Sequence, residues 1–118
     1  MILVTGGAGY IGSHTCVALA AAGEPDLVLD NFDNSRHSVL DRVGRITGTV
    51  PQYVEGDVRD GALLERVFAQ YPVTAVVHFA ALKAVGESVR EPLRYYDNNV
   101  TGTLTLLRAM QAAQVRSL

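Results

Sequence analysis

A glycine-rich stretch near the start of the chain, Val4-Thr5-Gly6-Gly7-Ala8-Gly9-Tyr10-Ile11-Gly12, restricts the fold more than any other feature. It follows the apolar run Ile2-Leu3-Val4 and precedes a helical apolar repeat that begins near Ile11. A strand therefore enters a tight turn, and the turn opens a helix. In that context such glycines bind a dinucleotide. Gly6 permits the turn. Gly9, without a Cβ, lets a pyrophosphate approach the backbone, and Gly12 lets the helix pack closely on the strand. The first N–H groups of a helix lack internal partners, and the helix dipole adds about 0.3–1 kcal/mol of attraction for an anion. The spacing is G-x-x-G-x-x-G rather than G-x-G-x-x-G, and out of context it would read as a flexible turn.

The remaining chain alternates strand and helix signals. Met1 to Thr5 reads as the first strand. A helix over Ile11 to Ala22 follows, with Ile11, Thr15, Ala18, Leu19 and Ala22 as its inward stripe and Gly23 as its stop. Leu27-Val28-Leu29 is the second strand, ending at Asp30. Asp30 lies about 20 residues beyond the glycine turn, the offset of a carboxylate that hydrogen-bonds a ribose. Such a carboxylate repels a 2′-phosphate and favours NAD over NADP. The alternative is an ordinary strand-end turn, Asp30-Asn31-Phe32-Asp33-Asn34-Ser35, and that cluster is loop-like in either case. Arg36 and His37 either meet a phosphate or are solvated. Ser38 is a candidate cap for a helix carrying Val39, Leu40, Val43 and Ile46, a pattern weakened by Gly44 and Gly48.

Gln52 to Glu55 is the third strand. Asp57, just beyond it on the cofactor side, is placed to accept from an adenine amino group, whereas Asp60 reads as the N-cap of a helix with face Leu63, Leu64, Val67 and Phe68. Thr74 to Ala80 is the fourth strand, and His78 within it reads as a core histidine. Pro92 opens a long last helix on which Leu93, Tyr96, Val100, Leu104 and Leu107 recur at spacings of three and four. Asn98 and Asn99 interrupt it with amides that either face solvent or donate to something specific. The helix frays over Val115-Arg116-Ser117-Leu118.

This alternation implies an α/β fold: a Rossmann-like, doubly wound parallel sheet in the order 3-2-1-4, incomplete after four strands. The glycine turn, Asp30, Asp57 and the segment after Phe79 all fall at the carboxyl edge of such a sheet. With 118 residues, 48% of them hydrophobic, the chain suffices for one domain with a core. Its formal charge of -2 is scattered, so no basic patch points to nucleic acid or a membrane surface. No apolar run approaches the roughly 20 residues of a spanning helix. No charged leader precedes an apolar segment, so no signal peptide is expected. Cys16 stands alone, reads as a small packed residue, and fits a reducing, cytoplasmic setting.

The segments Phe79-Ala80-Ala81-Leu82-Lys83-Ala84-Val85-Gly86-Glu87-Ser88-Val89, Pro92-Leu93 and Tyr95-Tyr96-Asp97-Asn98-Asn99-Val100 resemble the UDP-glucose 4-epimerases, of the extended short-chain dehydrogenase/reductase superfamily. The likeness runs over the whole chain and includes Thr5 to Cys16, Asp30-Asn31, Asn34-Ser35 and Val54-Glu55-Gly56-Asp57. Related sugar-nucleotide dehydratases share the glycine turn, so the Lys83 to Val89 run carries the distinction. The resemblance implies a set of roles. Tyr10 and Ile11 touch the pyrophosphate, Asp30, Asn31, Phe32, Asp33, Asn34 and Ser35 hold the adenosine ribose, and Asp57 and Val58 flank adenine. Phe79, Ala80, Ala81, Leu82 and Lys83 line the cofactor, Asn98 reaches it from the last helix, and Lys83, Ala84 and Val85 border the sugar nucleotide. Ala81 stands where many relatives have glycine.

The implied reaction interconverts UDP-glucose and UDP-galactose, in galactose metabolism, by transient oxidation of the sugar C4 with NAD. Its Tyr-x-x-x-Lys base and the serine or threonine after a fifth strand have no counterpart here, since neither Tyr95 nor Tyr96 has a lysine three or four residues on. No catalytic residue and no metal ligand is therefore expected among these residues. They read as the N-terminal part of an NAD-binding domain whose substrate domain lies outside them, with an unpaired fourth-strand edge as an association site. The resemblance also implies a homodimer built through the long helix.

Overall fold

The computed structural model describes residues 1–118. Four parallel strands, β1 (Ile2–Thr5), β2 (Asp26–Asp30), β3 (Gln52–Glu55) and β4 (Ala75–His78), lie in the order β3-β2-β1-β4. The helices are α1 (Tyr10–Ala21), α2 (Ser38–Thr47), α3 (Gly61–Gln70), α4 (Val85–Arg90), α5 (Pro92–Tyr96) and α6 (Gly102–Ala112), with a π-turn over Asp97–Thr101 joining the last two. The sheet and its order are those expected from the alternation.

Register explains the two cores. Leu3 pairs with Leu27 and Val76, and Val4 pairs with Val28 and Val77. Successive side chains point to opposite faces. Leu3, Leu27, Leu29 and Val76 therefore pack with Leu64 and Val67 of α3 and Leu106, Ala109 and Met110 of α6. Val4 and Val28 pack on the other face with Cys16 of α1 and Leu40 and Val43 of α2. Strands covered on both faces read as apolar runs, as β1, β2 and β4 do, whereas the largely exposed edge strand β3, Gln52-Tyr53-Val54-Glu55, does not.

Several expectations need correction. In α1 the buried residues are Gly12, Ser13 and Cys16, while Ile11, Ala18 and Ala22 are exposed. The helix is seated through its smallest side chains, which let it approach closely, so its large apolar residues do not mark the inner face. Ser38 is the first residue of α2 and makes no capping bond. Asp60 does cap α3, accepting from Leu63 N at 2.9 Å, and Gly23 ends α1 with a φ of +74°. The fourth strand is shorter at each end than expected, a new helix, α4, follows it, and the long last helix is broken by the π-turn into α5 and α6; its apolar stripe, to which spacing gave no direction, lies outward. Leu93, Tyr96, Val100, Leu104 and Leu107 are exposed, whereas Leu106, Ala109 and Met110 face the sheet. On the free edge of β4, Ser117 pairs in parallel with Ala75 and accepts from Val76 N at 2.9 Å. A fifth strand position is thus marked by one residue.

Candidate functional site

The carboxyl ends of β1 and β4 meet the glycine turn. Gly6 has a φ of +69°, and a Cβ there would stand 2.7 Å from Ala80 N and 2.8 Å from Phe79 C. Only glycine combines that backbone with that approach. A Cβ on Gly12 would collide with the Gly6 carbonyl oxygen and lie 2.7 Å from Gly7 Cα. Gly12 therefore packs α1 onto the glycine turn itself, not onto the strand as its spacing suggested. Gly9 is the N-cap of α1, and no side chain closes that end. The opening amides of the helix are left to a ligand or to water, at the positive end of the dipole.

Asp30, 8% exposed, ends β2 and holds the turn beside it. Its Oδ2 accepts from Ala8 N at 2.9 Å, and its Oδ1 accepts from Phe32 N and Ser35 Oγ, both at 2.9 Å. The strand-end turn and the cofactor reading are thus compatible, because a carboxylate has about four lone-pair sites and three are engaged within the chain. Phe32 takes a left-handed φ of 56° and turns away from the crevice to stack on His37, with ring centroids 3.7 Å apart. His37 Nε2 lies 3.2 Å from Glu55 Oε2. His37 is therefore engaged at the edge of β3 and does not face the glycine turn.

Asp57 forms the adjoining wall. Arg59 grips it with Nε on Oδ1 at 2.9 Å and a terminal nitrogen on Oδ2 at 2.7 Å, while Asn31 Nδ2 donates to Oδ2 at 3.1 Å. The hydrogen bonds from Arg59 hold the carboxyl down to about 2 against the opposing effect of burial.

The segment after β4 is held by side chains from the last helix. Asn99 brackets Leu82, accepting from its N–H at 2.8 Å and donating to its carbonyl at 2.9 Å. Tyr95 Oη accepts from Ala84 N at 3.1 Å and donates to Glu87 Oε2 at 2.8 Å. The π-turn, marked by the Gly102 N–H bond to the Asp97 carbonyl, presents Asn98 to the crevice and Asn99 to Leu82. Such turns often occur at functional sites. His78 lies between Thr5 Oγ1, at 2.6 Å, and Thr103 Oγ1, at 3.1 Å. Thr103 donates its own hydroxyl proton to the Asn99 carbonyl. The network therefore assigns a neutral ring with Nε2–H donating and Nδ1 accepting from Thr5. Burial, which pushes the His78 pKa down, agrees.

Two adjoining cavities run along this edge. The inner one is lined by Gly6, Gly9, Asp30, Asn31, Asp33, Asn34, Ser35, Asp57, Val58, Phe79, Ala80, Ala81, Leu82 and Asn98. The outer one is lined by Gly6, Gly9, Tyr10, Ile11, Gly12, Asn34, Phe79, Ala81, Lys83 and Ala84. These are the residues selected from sequence, with two exceptions. Phe32 is turned from the cavities onto His37 and the core under α1 and α2, and Val85 is exposed at the start of α4 and lines neither cavity. Four lining residues were missed: Leu29, Gly56, Glu87 and Tyr95. Leu29 and Gly56 sit beside selected acids and could have been found by position; the other two depend on α4, which left no clear period.

The chain matches the model of the GDP-mannose 4,6 dehydratase family over residues 3–117. It is 60% identical to the UDP-glucose 4-epimerase of Yersinia pestis, over 99% of this chain and 35% of that protein. It is 52% identical to the UDP-glucose 4-epimerase of Klebsiella pneumoniae, over 98% of this chain and 84% of that sequence. Among solved structures it overlays UDP-glucose 4-epimerase from Stenotrophomonas maltophila, with bound NAD and formylated UDP-arabinopyranose, at a TM-score of 0.95, 50% identity and coverage of 98% and 34%. The enzyme from Bifidobacterium longum, in complex with NAD+ and UDP, gives the same TM-score, identity and coverage. Apart from the Klebsiella sequence, the chain spans about a third of the length of these relatives.

Proposed function

The chain belongs to the GDP-mannose 4,6 dehydratase family and to its UDP-glucose 4-epimerases, and from that premise we propose that it forms the NAD-binding portion of such an epimerase. The substrates are UDP-glucose and UDP-galactose. One observation carries the reading: the two cavities join the uncapped start of α1 to the carboxyl ends of β1 and β4 through a cradle that Cβ atoms at Gly6 and Gly12 would fill. When bound, NAD would take a hydride from the sugar carbon and return it.

The chain's own residues hold and orient. Tyr10 and Ile11 seat the diphosphate on backbone N–H groups, and Gly9, whose own N–H is bonded to the Gly6 carbonyl, lets it approach the backbone. Asp30, Asn31, Asp33, Asn34 and Ser35 surround the adenosine ribose, Asp57 and Val58 the adenine. Phe79, Ala80, Ala81, Leu82 and Asn98 wall the crevice, with Leu82 pinned by Asn99. Lys83 neutralises phosphate charge at the outer cavity, where Ala84 borders the sugar nucleotide; Val85, outside both cavities at the start of α4, would meet it only beyond the cavity mouth. The tyrosine–lysine base belongs to residues outside these 118, as does the substrate domain. The exposed stripe Leu93, Tyr96, Val100, Leu104 and Leu107 supplies the two-fold helical interface of a homodimer.

The complete natural polypeptide should turn UDP-galactose into UDP-glucose with NAD retained. Turnover of another nucleotide sugar with no UDP-glucose formed would favour a related epimerase or dehydratase, the reading to which the family description also lends support. NAD binding without turnover of any nucleotide sugar would leave a non-catalytic cofactor module. Failure to bind NAD would remove both readings.

A further inference from the structure

Arg59 lines neither cavity, yet it holds two carboxylates, Asp57 and Asp97, beside the inner one. Its guanidinium reaches both oxygens of Asp57, at 2.9 and 2.7 Å, and with its third nitrogen Asp97 Oδ2, at 2.7 Å. Its backbone N–H also donates to Asp57 Oδ1, at 2.9 Å. Asp57 in turn accepts from Asn31, in the turn after β2. Asp97 immediately precedes Asn98, on the opposite wall of the same cavity. One side chain therefore joins the ends of β2 and β3 to the π-turn.

We propose that Arg59 is a positioning residue for the adenine end of the cofactor site, aiming the Asp57 carboxylate into the crevice and fixing the separation of its walls. The proposal rests on the reading of that crevice as an NAD site. Only a planar guanidinium can grip one carboxylate with two nitrogens and a second carboxylate with the third; a lysine ammonium is a point charge and cannot. The charged groups around Asp57 are Arg59 and, beyond it, Asp97; Asn31, facing from β2, is neutral. The Arg59 and Asp97 side chains are 39% and 53% exposed. The Arg59–Asp97 pair is exposed enough to add little to fold stability, but Asp57 is only 26% exposed and gripped by two nitrogens, so unfolding by urea is measured beside ligand affinity to separate fold from site.

The test is calorimetric titration of the complete polypeptide with ADP-ribose, which carries the adenine end, and with nicotinamide mononucleotide, which lacks it. In Arg59→Met, ADP-ribose should bind about tenfold more weakly, with nicotinamide mononucleotide unchanged. The pH profile separates aiming from general damage. In the wild type, ADP-ribose affinity should stay level from about pH 7 to pH 5, because Asp57 remains ionised down to about 2. In the variant, affinity relative to wild type should hold to about pH 5 and drop toward half near pH 4, as Asp57 returns toward the ordinary carboxylate range near 4. Arg59→Lys should recover only part of the affinity. An unchanged ADP-ribose affinity, or an equal loss for both ligands, overturns the proposal. If Arg59→Met does not fold, Asp97→Asn removes one anchor of the arginine without touching Asp57; it should show the same selective loss at smaller size, and no loss would be contrary. Wild-type protein that ignores ADP-ribose sinks the NAD reading and this inference together, whereas wild-type binding with insensitive variants sinks this inference alone.

Discussion

Asp30→Asn removes one charge and one acceptor while leaving the side chain's shape. The aspartate makes three charge-assisted bonds, to Ala8 N, Phe32 N and Ser35 Oγ, each at 2.9 Å. The asparagine keeps two of them by turning its carbonyl toward Phe32 and Ser35. Its amide then faces the Ala8 N–H, donor against donor, where Ala8 is 2% exposed. A hydrogen bond to a charged group contributes about 1.5–3 kcal/mol, and a buried unpaired donor costs about 1–3 kcal/mol. The expected loss is therefore about 3 kcal/mol, a large share of a typical total of about 5–15 kcal/mol. Urea unfolding followed by circular dichroism measures it, provided the slope against denaturant is unchanged. The same variant should lose discrimination between NAD and NADP, since the charge that repels a 2′-phosphate is gone. A stability change within about 0.5 kcal/mol, the range of an ordinary surface substitution, would show that Asp30 does not hold the glycine turn. An unchanged ratio of NAD to NADP affinity would refute its ribose role.

Three further outcomes follow from the same contacts. Gly12→Ala should abolish NAD binding and destabilise the fold by more than about 2 kcal/mol by calorimetry, because its Cβ meets backbone of the glycine turn that has nowhere to move. Asn99→Ala should cost about 2 kcal/mol, for two hydrogen bonds to Leu82, and should weaken NAD binding by freeing the segment after β4; unchanged amide exchange at Leu82 would count against it. His78 has a pKa lowered in the fold by burial, so the unfolded chain binds more protons below about pH 6.5. Stability should hold above that value and decline as pH falls through it, and in His78→Gln the decline between pH 7.5 and 5.5 should flatten relative to wild type.

The parallel sheet was legible because β1, β2 and β4 write themselves as apolar runs and the strand–helix alternation supplied the polar edge strand β3 and the order, and the glycine turn named the edge where a ligand would lie. The π-turn was not legible. Asn98 and Asn99 read as amides that interrupt a helix and either face solvent or donate to something specific, and the resemblance set Asn98 at the cofactor, but an added residue in one turn leaves the apolar spacing nearly intact and so gave no sign of the turn itself. Nothing in the sequence singled out Arg59, because its partner Asp97 is 38 residues away. The inner face of α1 was misassigned for a related reason: a helix that docks through glycine and serine has almost no hydrophobic asymmetry. The outward stripe of the last helix had correct spacing but no signal of direction, as an exposed apolar stripe is written in the same residues as one that meets the sheet.

A crystal structure of the complete polypeptide grown with NAD tests the placement of the cofactor directly. The diphosphate should sit within hydrogen-bond distance of the backbone N–H groups of Tyr10 and Ile11, with adenine beside Asp57 and the ribose hydroxyls on Asp30. A dinucleotide bound elsewhere, or the crevice between β1 and β4 closed by side chains while NAD is present at saturation, would contradict it.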